Sequence, residues 1–231
     1  MSAARTPELV AIPGGEFVMG KATGRDDERP PHSVTLAAFR AAARPVTNAE
    51  YAAFVAATGH DPAPFLSEAR FSRPAQPAVG VSWFDAVAYC DWLAAETGLP
   101  ARLPTEAERE YASLGGLKGV DWPWGAGDHP ATATINAADG PHEPLDECAN
   151  GYGLRCMAEN VHEWCGDWYA VDYYGRAPQA SPKGPASGKR RVSRGGAWRH
   201  KDKFTRVTAR SSIPPEFRYS DYGFRIYADG D

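Results

Sequence analysis

The segment Glu159-Asn160-Val161-His162-Glu163-Trp164-Cys165 predicts an extended strand over Val161–Cys165. Successive side chains on a strand point to opposite faces, so His162 and Trp164 share one face. Val161, Glu163 and Cys165 then share the other. The strand therefore carries His162 and Glu163 on opposite faces, and each of them suggests a separate site.

Outward from this strand, capping signals predict three helices in the first half of the chain. Thr47-Asn48-Ala49-Glu50 is a capping box, and Gly59 is a suitable stop for the helix that it opens. Further helices are expected to begin at Ser82 and Thr105. Strands are expected in Leu9–Met19, where Pro13-Gly14-Gly15 interrupts them, and over Ser33–Phe39, Arg191–Arg199 and Phe224–Ala228. The pattern predicts one α+β domain over 1–231, with helices mainly in 47–112 and an irregular β-rich part over 115–231.

Composition argues against some classes of partner and location. The 231 residues include 25 Lys and Arg against 29 Asp and Glu, a net charge of −4, which argues against a nucleic-acid partner. No apolar run is long enough for a membrane span, and the first residues do not resemble a secretory signal. Four cysteines without an export signal favour reduced thiols and a cytoplasmic location.

Eight blocks, in order along nearly the whole chain, together resemble the formylglycine-generating enzyme family, also called sulfatase-modifying factors. The blocks are Ile12–Gly20, Pro45–Tyr51, Pro77–Trp83, Arg102–Glu108, Gly151–Leu154, Glu159–Trp164, Arg194–Trp198 and Gly223–Arg225. The resemblance implies a C-type-lectin-like fold with little regular secondary structure and bound calcium. The family includes copper-dependent oxidases that make formylglycine, domains of iron-dependent sulfoxide synthases, a pyoverdine-maturation protein and accessory members, so fold alone does not assign chemistry.

The copper chemistry of the family does not carry over to this sequence. In formylglycine-generating enzymes, two cysteines after the Arg-Gly-Gly block bind copper(I), an ion that soft thiolates suit. Counted from Gly195-Gly196, those two positions hold His200 and Thr205, and Ala197 replaces the serine that follows the glycines. We therefore expect no formylglycine generation by copper thiolates.

The segment that replaces the copper ligands is rich in cations and aromatic rings. It suggests His200, Arg199, Arg206 and Arg210 as catalytic residues, with His200 as metal ligand or acid–base group and the arginines orienting an anion. The expected pocket lining is Trp164, Trp198, His162, Tyr219, Asp221 and Tyr222. Such a pocket suits a small molecule or peptide with an anionic or aromatic group. The alternative is a set of solvated charges paired with Asp202, Glu216 and Asp221.

The two histidines allow a further hypothesis. If the face of Trp164 looks into the pocket, His162 lies near His200, and two imidazoles could bind a redox metal or exchange protons near neutral pH. A metal site needs at least a third ligand, so the sequence alone favours His162 as a packed, hydrogen-bonded ring.

Calcium is implied by the resemblance at Asn160, Val161 and Glu163, which match a family motif in which backbone carbonyls and a Glu carboxylate supply hard oxygen ligands. A second calcium site would need Asn136. A salt bridge or backbone cap is the alternative role for Glu163.

The cysteines suggest less. Cys90 and Cys165 are expected in the core. Cys148 and Cys156 either pair with each other or stay free, and a Cys/His metal site lacks a recognised spacing.

Two functions remain compatible with these residues. The first is an oxidative modification or maturation factor that does not use the copper–cysteine mechanism. The alternative is a non-catalytic module that holds a ligand or a partner segment in the same cationic, aromatic pocket.

Overall fold

The structure, a computed structural model, describes residues 4–129, 139–200 and 204–230. Its three α-helices are α1 (Asn48–Thr58), α2 (Trp83–Thr97) and α3 (Glu106–Leu114). Each begins with a capping box, formed by Thr47 with Glu50, Ser82 with Asp85 and Thr105 with Glu108, and each ends at a glycine with positive φ. The three predicted helices are confirmed.

Within the described ranges, nine short strands form three sheets. They are β1 (Leu9–Ile12), β2 (Gly15–Met19), β3 (His32–Leu36), β4 (Phe39–Ala42), β5 (His162–Trp168), β6 (Arg191–Arg194), β7 (Ser211–Ile213), β8 (Tyr222–Gly223) and β9 (Tyr227–Asp229). The sheet orders are β1-β4-β9, β2-β3 and β7-β6-β5-β8. All pairs are antiparallel except β5 with β8, which run parallel with His162 opposite Tyr222.

The strand bounds differ from the sequence predictions where the backbone turns sharply or changes sheet. The strand expected to reach Arg199 ends at Arg194, because Gly195 and Gly196 adopt φ of 100° and 70°. The strand expected over Phe224–Ala228 is confirmed only at Tyr227 and Ala228, which lie in β9, because β8 ends before it at Gly223. The two strands within Leu9–Met19 also join different sheets.

Two large apolar clusters fill the interior. One packs α1 and α2 against Trp164, Phe224 and Ile226, and the other packs α3 against β2, β3 and β4. Trp164 is fully buried, and its indole N–H donates to the Val81 carbonyl at 2.9 Å. Among the described residues, no helix combines the length and apolar character needed to cross a bilayer.

Buried arginine–carboxylate pairs join the helices to the sheets. Glu163 lies between Arg109 of α3 and Arg225, and all three side chains are fully buried. Glu106, also in α3, binds Arg194 and Arg210. These paired charges hold together segments that are far apart in sequence.

Candidate functional site

His162 begins β5, and the parallel pairing with β8 brings it beside the residues that precede Tyr222. Its backbone N–H donates to the Asp221 carbonyl at 2.8 Å. The imidazole is 5% exposed and packs on Tyr222, with ring centroids 4.9 Å apart. Trp164 contacts the same Tyr222 ring, so the predicted shared face of His162 and Trp164 is confirmed.

His200 reaches the same place from the turn after β6. Gly196 allows that turn, because a Cβ on it would lie 2.5 Å from the Thr205 side chain. The Trp198 N–H donates to the Asn160 carbonyl at 2.9 Å, and the His200 N–H donates to the Ala197 carbonyl at 2.8 Å. The rings of His200 and His162 meet edge to face with centroids 4.8 Å apart. The two histidines expected to be neighbours are neighbours.

Asp221 supplies a third group that the two histidines lack. Potential ligand atoms of His162, His200 and Asp221 all lie within 4.8 Å of one another, and His200 Nε2 is 3.7 Å from Asp221 Oδ2. Two imidazoles and one carboxylate are the ligand set of many non-haem iron(II) oxygenases. The sequence predicted Asp221 in the pocket lining but did not indicate it as the third ligand.

The electrostatics keep both rings neutral. Burial lowers the pKa of His162 to about 3, and the charges of His200 and Arg199 act in the same direction. Burial also lowers the pKa of His200, where the opposing effect of Asp221 is smaller. In the described part of the chain, neither His162 Nδ1 nor His200 Nδ1 has a hydrogen-bond partner. Neutral imidazoles with open nitrogens are the form that binds metals.

Arg199 contacts this site directly. Its guanidinium donates to Asp221 Oδ2 at 2.9 Å and lies 2.8 Å from Oδ1 in an ion pair, while 47% of its side chain remains exposed. The rim is aromatic: Phe204 lies beside His200, Tyr219 beside Tyr222 and Phe217 beside Tyr219, and each ring is more than two-fifths exposed. Trp198 is partly buried and packs on Phe71.

Arg206 and Arg210, expected to orient a substrate anion, have structural roles instead. Arg210 is 2% exposed and binds Glu106 through two nitrogens, at 2.7 and 2.8 Å. Arg206 binds the fully buried Glu28 at 2.8 and 2.9 Å. Both guanidinium groups are committed to buried carboxylates, so the assignment of both arginines as catalytic residues is corrected. The alternative of solvated charges is also wrong for these two.

The residues proposed for calcium are engaged by the protein itself. Glu163 accepts hydrogen bonds from Arg109 and Arg225 on both oxygens. The Asn160 side chain bonds the backbone of His142 in both directions, at 3.0 and 2.9 Å. Two guanidinium groups next to Glu163 oppose a divalent cation, so these residues do not fit calcium. Glu163 is therefore held by arginines and the Asn160 carbonyl by the Trp198 N–H, while calcium at the Val161 carbonyl stays a prediction and Asn136 lies outside the described residues.

Copper(I) held by two thiolates does not fit either. His200 and Thr205 offer one imidazole and one hydroxyl, and Thr205 packs against Gly196. Cys90 and Cys165 are buried as expected, and all four cysteines are free thiols.

The buried carboxyl of Asp167, which contacts α3, has a strongly raised pKa. Burial raises the pKa of Asp167 to about 8, and Glu106 adds to the effect. Between the unfolded value of about 3.9 and this one, the folded state holds the extra proton, so stability falls as pH rises across that interval. The Asp167 carboxyl accepts a hydrogen bond from the Glu106 N–H at 2.8 Å. The side-chain oxygen of an Asn at this position can accept the same hydrogen bond.

We therefore expect the free energy of unfolding to fall less for Asp167→Asn than for the wild type as the pH rises from 6 to 9. Urea unfolding at a series of pH values measures this difference. Asp172→Asn, at a side chain that is 69% exposed, is the control and should follow the wild type. Equal pH slopes for wild type and Asp167→Asn would show that this carboxyl is ionised throughout.

Comparison with known proteins shows which family this chain resembles. Residues 1–229 match the sulfatase-modifying factor enzyme 1-like domain. The formylglycine-generating enzyme of Streptomyces coelicolor is 36% identical over 96% of this chain and 89% of its own length. An inactive C-alpha-formylglycine-generating enzyme 2 of Mus musculus is 30% identical over 96% of this chain and 86% of its own.

A solved structure agrees with these sequence relatives. PvdO from Pseudomonas aeruginosa superposes with a TM-score of 0.83 at 29% identity, covering 97% of this chain and 95% of that one. The predicted formylglycine-generating-enzyme-like, C-type-lectin-like α+β fold is thereby confirmed. The chain belongs to the sulfatase-modifying factor, or formylglycine-generating enzyme, family.

Proposed function

We propose that this protein is an oxidative modification or maturation factor that uses iron(II) at His162, His200 and Asp221. The observation that carries the proposal is the convergence of two neutral imidazoles and one carboxylate, with potential ligand atoms within 4.8 Å of one another. One member of the set, His200, occupies the position of the family's first copper-binding cysteine. Three protein ligands leave coordination positions for dioxygen and substrate.

The proposed reaction uses dioxygen as the oxidant. In its simplest balanced form, the substrate loses two electrons and two protons, and dioxygen accepts them to become hydrogen peroxide. The protein's own part is to hold the metal through neutral rings and to keep water away from it. The burial of His162 and Asp221 supports that part.

The surroundings favour a small-molecule or peptide substrate with an anionic or aromatic group. Arg199 can release Asp221 and turn its half-exposed guanidinium toward an anion. Phe204, Phe217 and Tyr219 offer exposed rings at the rim for apolar or aromatic contact.

A second candidate function is a binding module without catalysis. The ion pair of Arg199 with Asp221 favours it, because a carboxylate held by a guanidinium is a weaker metal ligand. The inactive relative gives a precedent within the family. In this case the same pocket holds a ligand or a partner segment.

Anaerobic titration with iron(II) tests the metal site. We expect the wild-type protein to bind iron(II) there and His200→Ala to bind at least about 100-fold more weakly, since even the loss of an outer partner costs about 10- to 100-fold. His60→Ala is a matched control, because His60 also contacts an aspartate, Asp85, which is likewise bonded to an arginine, Arg218. Equal affinities for His200→Ala and wild type would overturn the metal assignment.

Nitric oxide, used as a stand-in for dioxygen, separates the two functions. An iron(II) centre with an open position forms an adduct that electron paramagnetic resonance detects. We expect that signal in the wild type and in His60→Ala, and its loss in His200→Ala. Iron(II) bound without any adduct would contradict the oxidative function and leave the binding module.

A further inference from the structure

A second group of metal-ligating side chains lies apart from the histidine–aspartate site. Two sets of residues, His129, Cys148 and Glu159, and His142, Cys156 and Glu159, each hold their ligand atoms within 4.8 Å of one another. The two sets meet at Glu159, which belongs to both of them. They therefore form one contiguous cluster of sulfur, nitrogen and oxygen atoms.

The cluster is buried and is not explained by packing alone. Cys156 is fully buried, and Cys148, His142 and Glu159 are each 6–8% exposed. Within the described residues, His142 Nε2 and Glu159 Oε1 are both buried without a hydrogen-bond partner. Buried polar atoms without a partner are unfavourable, so a shared partner for these two atoms is expected.

The hydrogen bonds around the cluster orient those two atoms. His142 Nδ1 lies 2.9 Å from the Glu143 carbonyl, which can only accept, so Nδ1 carries the proton and Nε2 presents a lone pair. A ring N–H donated to a backbone carbonyl is the usual outer support of a metal-bound histidine. Glu159 Oε2 accepts the Ala158 N–H at 3.1 Å and contacts His129 Nε2 at 3.3 Å, which leaves Oε1 for another partner.

The chemistry of the atoms selects the ion. Two thiols and an imidazole suit zinc, which takes four ligands in a tetrahedral arrangement, and they do not suit calcium or magnesium. A small cavity lined by Trp124, His129, Cys148 and Glu159 adjoins the cluster.

We propose that His142, Cys156 and Glu159 bind one structural zinc ion, which the Cys148 thiol reaches as the fourth ligand by moving toward that set, with His129 as an outer partner of Glu159. Binding converts both thiols to thiolates and releases two protons, so no oxidant or reductant is needed. The ion would cross-link residues within the segment 142–160, which directly precedes β5. Asn160 already ties His142 to the chain two residues before His162, so the zinc would also stabilise the position of that histidine.

Metal analysis of the purified protein, loaded with zinc under reducing conditions and then dialysed, tests the proposal. We measure zinc in the His200→Ala background, so that the histidine–aspartate site takes up none. There we expect one zinc per chain, and the same count when Cys90→Ser, a control at another buried cysteine, is added. The double variant Cys148→Ser/Cys156→Ser should bind zinc at least about 100-fold more weakly. A wild-type protein that retains no zinc would overturn the proposal.

Cobalt(II) gives a second readout that is measured on the wild-type protein itself. Cobalt(II) bound to the wild type should show a strong sulfur-to-metal charge-transfer band. His142→Ala should keep that band with weaker binding, and His200→Ala should leave it unchanged, because the other site contains no sulfur. A wild-type protein that shows no such band would contradict the zinc site. The same conclusion would follow if mass spectrometry found Cys148 and Cys156 joined as a disulfide and the reduced protein still bound no cobalt.

Discussion

Replacing Glu163 with Gln is expected to lower the free energy of unfolding by about 3–5 kcal/mol, the usual cost of removing one partner from a buried ion pair. Arg109 and Arg225 are fully buried and bond to the same carboxylate, at 2.8 Å in each case. Burial by itself would raise the pKa of Glu163, but the two guanidinium charges outweigh it and hold the pKa below its usual value. Gln keeps the shape of the side chain and removes the charge that neutralises both arginines.

Urea unfolding measures the effect, and Glu68→Gln is the control. Glu68 forms an ion pair with Arg70 in which both side chains are more than two-fifths exposed, so its loss should cost less than about 1 kcal/mol. If Glu163 were instead a calcium ligand, added calcium would raise the stability of the wild type and not that of Glu163→Gln. That result would contradict the structural role of this residue.

Arg210→Met is expected to have an effect of similar size, about 3–5 kcal/mol, for the same physical reason. Arg210 contacts Glu106 with two nitrogens and donates to the Asp27 carbonyl at 2.8 Å. Its guanidinium also lies 4.2 Å from the ring centre of Tyr174. Met retains part of the apolar stem and leaves the buried Glu106 to pair with Arg194.

Arg176→Met is the matched control for this arginine. Arg176 also pairs with a carboxylate, that of Asp172, and lies over a ring, that of Tyr173, but its side chain is 54% exposed. We expect its unfolding free energy to stay close to that of the wild type, because solvent screens an exposed pair. An Arg210→Met protein of unchanged stability would restore the hypothesis that this arginine binds a substrate.

The elements that the sequence predicts well are those set by local chemistry. The helix starts at Thr47, Ser82 and Thr105 follow from side chains that bond the backbone three residues away, so a short window contains the whole signal. The proximity of His162 and His200 could be expected because strand alternation and the family blocks both point to one face.

The parts that the sequence did not predict depend on contacts between distant residues. Glu163 meets Arg109 and Arg225 at separations of 54 and 62 residues, and no local pattern distinguishes such a carboxylate from a calcium ligand. The same holds for Arg210 and Glu106, which are 104 residues apart. Asp221 joins the histidines only because β5 and β8 run parallel, and a two-residue strand leaves little trace in sequence.

The most direct test of iron binding by the two histidines and Asp221 is an anomalous difference map at the iron edge, from crystals grown with iron(II) without oxygen. We expect one peak between His162, His200 and Asp221, with the Asp221 carboxylate turned from Arg199 toward the metal. Iron bound elsewhere in the molecule, with no peak among these three side chains, would contradict the proposed site.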